Sequence, residues 1–294
     1  MADTLRRRAP RGRRPSGALL GVVPFFAYTT VFLLIPTLVV LVGAFLDANN
    51  GFTTGNIEAL TSPAVLRALR NSVVLSAVTS AAGAVLGGIL AYAVSTARAT
   101  SVTKRFVTSL CGVLAQFGGV ALAFAFIASF GTTGLITVWL NGLGVDTGTG
   151  FWLYGWNKGL MLVYLYFQVP LMVIVFLPAV EGLRPQWREA TETLGGTTWT
   201  YWRRVAGPIL LPSFVGAMLL LFTNAFSAYA TARALISQGT PLLPLQIGGT
   251  LSSEVILGQE NIGKAMALAM VVVVAVVMSL YVLLDRRASR WMPR

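Results

Sequence analysis

Residues Glu189 to Pro208 read EATETLGGTTWTYWRRVAGP. Two carboxylates, a Gly-Gly pair, three aromatics and an arginine pair stand together there, between long apolar runs. Helix signals surround the glycines. Pro185 suits the start of a helix, Arg188 and Glu192 are spaced four apart for pairing, and Gly195 is positioned as a C-terminal stop. Thr197 or Thr198 can cap a second helix, and Pro208 marks where the next apolar run begins. The stretch predicts a helix, a glycine turn and a second helix, with Trp187, Trp199, Tyr201 and Trp202 attached. Aromatics and arginines are frequent anchors at protein interfaces, although tryptophans also settle among lipid headgroups. What surrounds the stretch decides what it can serve.

The chain has 294 residues, 55% of them hydrophobic, and only 11% charged, with a mean hydropathy of +0.74. Soluble domains carry about a quarter charged residues, so this is not one. Six segments hold no charge at all: Ser16 to Leu46, Asn71 to Ala97, Phe106 to Phe130, Gly159 to Val180, Val205 to Ala232 and Ala265 to Leu284. Each reaches the roughly 20 residues that a helix needs to cross an apolar core of ~30 Å. Continuous runs exclude the alternation of a barrel, and only helices or barrels satisfy the backbone in lipid. The expected fold is an all-α membrane protein of six transmembrane helices, with a polar loop at 181–208 between helices 4 and 5. A basic tail (1–15) precedes the transmembrane domain (16–285), and a short tail (286–294) follows it.

The net charge of +12 raises nucleic acid as a partner, but the placement of the cations argues for topology instead. The tail before residue 16, the Arg98–Arg105 loop, the Glu181–Arg204 loop and the end after Leu284 hold 6, 3, 4 and 4 Lys or Arg, 17 in all, against five on the other side. The positive-inside rule puts the first set, both termini and the 181–208 loop in the cytoplasm. The aromatics Phe151, Trp152, Tyr154 and Trp156 read as an interfacial belt on the outer face. The first apolar run exceeds the 7–15 residues of a signal peptide and lacks a cleavage site in the right place, so it reads as a retained helix.

Several chemistries fall away. The chain has no histidine, the commonest general base and metal ligand, and Cys111 stands alone. No carboxylate or cation lies near the middle of any span, where an ion-coupled carrier usually keeps one. The segment GQENIGKA (Gly258 to Ala265) resembles a P-loop, but Ala265 has no hydroxyl for Mg²⁺ and no strand leads in. Uncharged polar groups do occur within the spans: Gln116, Gln168, Asn224, Ser227 and Tyr229. They either line a pathway or bond neighbouring helices. Pro170 should kink its helix, and the glycines of AAGAVLGGILA and QFGGVALAF suggest close helix packing.

The opening stretch resembles the cytoplasmic EAA loop of the membrane subunits of binding-protein-dependent ABC importers. The pattern is E-A-A, three residues, Gly, nine residues, then I-x-L-P. Glu189, Ala190 and Gly195 match it, and Val205 and Pro208 fall at the Ile and Pro positions, while Thr191 replaces the second Ala and Gly207 the Leu. The six-span layout extends the likeness over nearly the whole chain. It implies that the first loop helix is a coupling helix seated in a cleft of a separate ATPase. Glu189 would face an arginine there, Gly195 would permit the turn, and Arg188 and Trp199 belong to the same face. It further implies ATP-binding cassette subunits that hold the ATP and Mg²⁺, so that this chain needs no cofactor and is no enzyme. A second permease, paralogous or identical, and an extracytoplasmic substrate-binding protein complete the set, in the plasma membrane of a prokaryote. The segment YFQVPLMVIVFLPAVEGLRPQWREA is most similar to permeases for polyamines, ferric iron, thiamine and phosphonates, and less similar to the sugar group. An ATP-independent carrier or channel is the rival class, and it has no need of the loop.

Overall fold

A computed structural model describes residues 18–47, 49, 51–98, 101–144, 159–236, 241–251 and 260–289. The described chain is helical, with one isolated bridge between Leu46 and Phe52. In order, the helices are α1 (Ala18–Thr29), α2 (Ile35–Gly43), α3 (Gly55–Glu58), α4 (Pro63–Ser95), α5 (Val102–Gln116), α6 (Gly119–Phe130) and α7 (Leu135–Gly142). There follow α8 (Met161–Glu181), α9 (Pro185–Thr193), α10 (Thr198–Tyr201), α11 (Gly207–Phe226), α12 (Tyr229–Leu235), α13 (Leu243–Leu251) and α14 (Glu260–Ser289). Six described segments are long and apolar enough to cross a membrane: Val22–Gly43, Pro63–Ser95, Gly119–Gly142, Met161–Glu181, Thr198–Phe226 and Glu260–Leu283. The N-terminal tail, the last five residues, the aromatics at 151–156 and the start of GQENIGKA lie outside the described residues, while Glu260 to Ala265 form the first turns of α14 and Arg286 to Ser289, expected in the tail, its last.

α8 is the axis of the bundle. Its neighbour α4 lies against it through small residues: a Cβ at Gly83 would meet Gln168 Cβ at 2.9 Å, and one at Gly87 would meet Met172 Cβ at 2.5 Å. The packing expected of these glycines is what the structure shows. α5 and α11 flank the same axis. Near Ser95 and Glu181, hereafter the loop end, Ala84, Val94, Met172, Phe176, Val180 and Leu210 pack into one core cluster. Toward the opposite end Leu75, Leu122, Leu160, Tyr164, Ala232 and Leu235 form a second. α14 packs on α11 and α2, and Asn261 Nδ2 donates to the Asp47 carbonyl. By contrast the apolar window of Val22–Gly43 has no buried residue.

Two expected spans differ from the structure. Phe106 to Phe130 is two helices, α5 and α6, separated at Phe117 and Gly118. The apolar stretch of crossing length instead runs Gly119–Gly142, itself interrupted after Phe130. The cause is conformational. Gly119 has φ +68°, open to glycine but costly for other residues, so the helix stops. Gly118 and Gly119 therefore break a helix rather than pack one, correcting that reading. Val205 to Ala232 is likewise interrupted at Ser227 and Ala228, after which α12 sets off separately. The two breaks meet. Thr231 Oγ1 donates to the Gly119 carbonyl at 3.3 Å, and Tyr164 Oη donates to the Ala228 carbonyl at 2.9 Å. Side-chain hydroxyls thus tie the two breaks to each other and to α8. The second span also starts early, at Pro63 rather than Asn71. Its 33 residues give about 50 Å at 1.5 Å per residue, so Arg67 and Arg70 can stand beyond a ~30 Å apolar core.

Candidate functional site

The polar stretch folds as a hairpin of two helical segments at the loop end. Pro185 occupies the first turn of α9, where its missing N–H costs nothing. No residue of α9 is buried. Arg188 Nε and Glu192 Oε1 pair at 3.0 Å. Thr191 Oγ1 donates to the Trp187 carbonyl at 2.8 Å, and Thr193 Oγ1 to the Glu189 carbonyl at 2.9 Å. The threonine at the second Ala position therefore turns its hydroxyl onto its own helix and leaves Glu189 and Ala190 exposed.

α9 ends in a Schellman motif. Gly196 N–H reaches the Thr191 carbonyl at 2.9 Å, and Gly195 N–H the Glu192 carbonyl at 3.0 Å, closing both bonds of the motif around a residue at φ +76°. Both glycines are used. Gly195 supplies the left-handed backbone, and a Cβ at Gly196 would sit 2.7 Å from Thr191 Cγ2. The role of Gly196 was missed in the sequence, although its signal, the residue after the left-handed cap, was there to read. The turn also lifts Leu194 and Trp199 into the open, 87% and 72% exposed. Leu194 went unremarked in the sequence as well.

Beyond the turn, Thr197 caps α10, its Oγ1 accepting from Thr200 N–H at 3.4 Å. α10 does not stop. A π turn, Trp202–Ala206, carries it straight into α11, so Thr198–Phe226 is one helical rod of 29 residues, about 43 Å long at 1.5 Å per residue. Pro208 explains the π turn. Proline offers no N–H and its ring presses on the carbonyl four residues back, and the wider turn bonds Gly207 N–H to the Trp202 carbonyl instead. A Cβ at Gly207 would lie 2.5 Å from that carbonyl oxygen. The glycine that replaces Leu is thus the residue that this wider turn accepts. Another π turn, Thr30–Leu34, also runs into a proline, Pro36. Val205 is half-buried and Pro208 exposed, while Trp202 stacks edge-on against Tyr92 of α4 at 5.0 Å.

The polar residues of the spans divide into two kinds. Gln168 is fully enclosed between α4, α8 and α11. In the amide orientation that satisfies both ends, Oε1 accepts from Thr79 Oγ1 at 2.9 Å and Ser80 N–H at 3.2 Å, and Nε2 donates to the Leu221 carbonyl at 3.1 Å. It bonds helices and reaches no open face. Gln116, Asn224, Ser227 and Tyr229 are exposed. Gln116 and Asn224 precede the two breaks and have no partner for their amides among the described residues. Ser227 and Tyr229 edge a largely apolar cavity of about 690 Å³ between α13 and α14.

Comparison with known proteins gives these features a setting. The chain is 25% identical over 154 residues to the probable starch degradation products permease AmyD of Thermoanaerobacterium thermosulfurigenes, covering 51% of this chain and 49% of that protein. It is 25% identical over 226 residues to the putative ferric permease FbpB 1 of Haemophilus influenzae, covering 74% and 32%. To the sulfate permease CysT of Escherichia coli it is 25% identical over 172 residues, covering 58% and 59%. Its relatives are ABC-type permease subunits. The chain spans between about a third and three-fifths of the length of these permeases. No protein-family model matches it. In structure it superposes on a chain of a bacterial ABC transporter that imports the acidic polysaccharide alginate, with a TM-score of 0.72 and 16% identity, covering 94% of this chain and 97% of the other. The fold is that of this transporter chain, a multi-pass helical membrane architecture.

Proposed function

We propose that this chain is the permease subunit of an ATP-driven solute importer, forming half of a translocation pathway and coupling to a separate ATPase through the 181–208 loop. One observation carries the reading: the exposed α9 and its glycine turn are joined without interruption to the rod that becomes the fifth span. Force applied at α9 reaches the middle of the membrane by rigid-body motion of α10 and α11. Glu189, Ala190, Thr191, Arg188 and Gly195 present the docking face, Leu194 and Trp199 supply its apolar anchors, and Val205 and Pro208 belong to the elbow. ATP and Mg²⁺ belong to the ATPase, so this chain hydrolyses nothing itself.

The pathway follows the exposed polar groups Gln116, Asn224, Ser227 and Tyr229, because an unpaired amide at membrane depth is costly unless it meets water or a partner. Gln168 holds helices behind it. The basic loop end lies in the cytoplasm of a prokaryote, a second permease copy or paralogue completes the pathway, and an extracytoplasmic binding protein delivers the solute. Named solutes of the relatives include iron, sulfate and starch products. Uncharged pathway walls suit such variety, with a small polyamine, iron complex, thiamine or phosphonate as the class expected here. The test is co-purification with the cognate ATPase. Gly195→Pro cannot adopt φ +76°, and Glu189→Arg reverses a contact charge. Each should reduce ATPase capture by roughly 100-fold, the scale of losing a buried charge-pair partner, while the protein still inserts. Normal capture by both variants would refute the assignment of the loop.

A further inference from the structure

An apolar groove of about 420 Å³ opens at the loop end between α4, the last turns of α8 and the start of α11. Val85, Ile89 and Tyr92 form one wall, Leu211 and Phe214 the other, with Trp202 at the mouth. Among the described residues nothing covers it: Ile89 is 63% and Leu211 59% exposed. The turn that follows Trp202 at its mouth differs in chemistry. Arg203 and Arg204 lie in the chain between Trp202 and Gly207, which both line the groove. Both arginines are exposed. The ion pairs among the described residues are Lys104–Glu181 and Arg188–Glu192, so neither guanidinium is neutralised there. Glu181, next to the lining residue Val180, is already held by Lys104.

An apolar slot, an edge-on Tyr92–Trp202 pair at its mouth and two exposed guanidiniums in the adjoining π turn form the sequence of environments that a phospholipid spans. Basic pockets between helices at a cytoplasmic surface hold anionic headgroups, and aromatic rings settle at that boundary. We propose that this groove binds one anionic phospholipid, with an acyl chain along Ile89, Leu211 and Phe214 and the phosphate on Arg203 and Arg204. The inference rests on the proposed function only in placing the loop end at the cytoplasmic surface. The lipid touches the π turn from one side and α4 from the other. It therefore braces the elbow through which the loop drives α11.

The test uses the full-length chain in detergent, titrated with phosphatidylglycerol or phosphatidylcholine of the same chain length and read by native mass spectrometry. Phosphatidylglycerol should be retained roughly tenfold or more tightly, and the paired change Arg203→Gln and Arg204→Gln should erase that preference, since each near-surface arginine contributes a factor of about five. Ile89→Trp, at an exposed position, should fill the slot and weaken both lipids while ATPase capture stays unchanged. Equal retention of the two lipids overturns the proposal, as does indifference to these substitutions. If Ile89→Trp instead separates two copies of the chain, the groove is a permease–permease contact. If it abolishes ATPase capture, the groove belongs to the ATPase. ATPase capture is scored separately with Gly195→Pro, so the lipid site and the coupling loop fail independently.

Discussion

Gly195–Gly196 and Gly118–Gly119 are the same dipeptide, and each pair places one residue in the left-handed region, at φ +76° and +68°. Their surroundings make them different devices. At 195–196 the open carbonyls of α9 are closed by the turn's own N–H groups, the two bonds of the Schellman motif. Nothing lies within 4 Å of a Cβ added at Gly195. At 118–119 the interruption falls inside an apolar run, and another element is bonded onto it, through Thr231 of α12 to the Gly119 carbonyl. A turn in water can complete itself, because water takes whatever remains. A break within a span must find its partners in the protein. One pair therefore makes a freestanding hinge, and the other welds α6 to α12.

Placing valine at both positions separates these roles. A β-branched residue at positive φ is a steric outlier costing of order 1–3 kcal/mol. Gly119→Val should take that cost within the bundle and lower the thermal midpoint of the purified protein by several degrees. Gly195→Val should leave the midpoint nearly unchanged, because α9 buries nothing, and should reduce ATPase capture instead. A large loss of thermal stability from Gly195→Val would show that the hairpin helps to hold the bundle, and the contrast would fail.

The difference also explains what could be read in advance. The hairpin was legible because polar sequence in a membrane protein leaves local signals intact: Pro185 at the first turn, Gly195 at the stop and Thr197 at the cap. The six-span plan was legible because span length and apolar content are coarse quantities. The breaks were not. Gln116 to Gly119 and Asn224 to Ala228 sit in runs free of charge, and mean hydropathy carries no information about φ. The glycines of α4 and those at 118–119 look alike in sequence. Only the facing atoms, Met172 for one and Thr231 for the other, tell packing from interruption. Gln168 and Asn224 were equally indistinguishable, since an amide in a span reads the same whether three helices enclose it or none does.

That last pair gives a finer test. Gln168→Leu removes an enclosed set of hydrogen bonds between α4, α8 and α11, and should cost about 1 kcal/mol, the usual scale for such bonds between membrane helices. Asn224→Leu removes an amide without a described partner and should leave stability unchanged or slightly raised, while altering solute transport in the reconstituted assembly. Thermal denaturation checks the first and uptake into vesicles the second. Reversed outcomes would move Gln168 into the pathway and Asn224 into the packing.

Smaller again is the cap at the second helix. Thr197→Ala should cost at the low end of the ~0.5–2 kcal/mol seen for such changes, because the bond to Thr200 N–H is long at 3.4 Å and Tyr201 N–H still reaches the Thr197 carbonyl at 3.0 Å. Hydrogen exchange should quicken at the Thr200 amide and remain unaltered below Trp202, where the bundle takes over.

The smallest intramolecular effect belongs to the ion pair on α9. Arg188 and Glu192 are each more than half exposed, and an arginine preceding its carboxylate by four residues is the weaker orientation on a helix. About 0.3 kcal/mol is then the whole stabilisation expected, and salt screens even that. Arg188→Gln should leave both α9 and the bundle intact by circular dichroism and thermal denaturation. A strong effect of this substitution on ATPase capture is then expected from a contact made by the guanidinium to the partner rather than from a weakened helix. Repeating the capture with Glu192→Gln separates the two, because that change breaks the same internal pair but leaves Arg188 free to dock. If both substitutions impair capture equally, the pair acts by holding the shape of α9, and the freestanding hinge depends on its own surface charges after all.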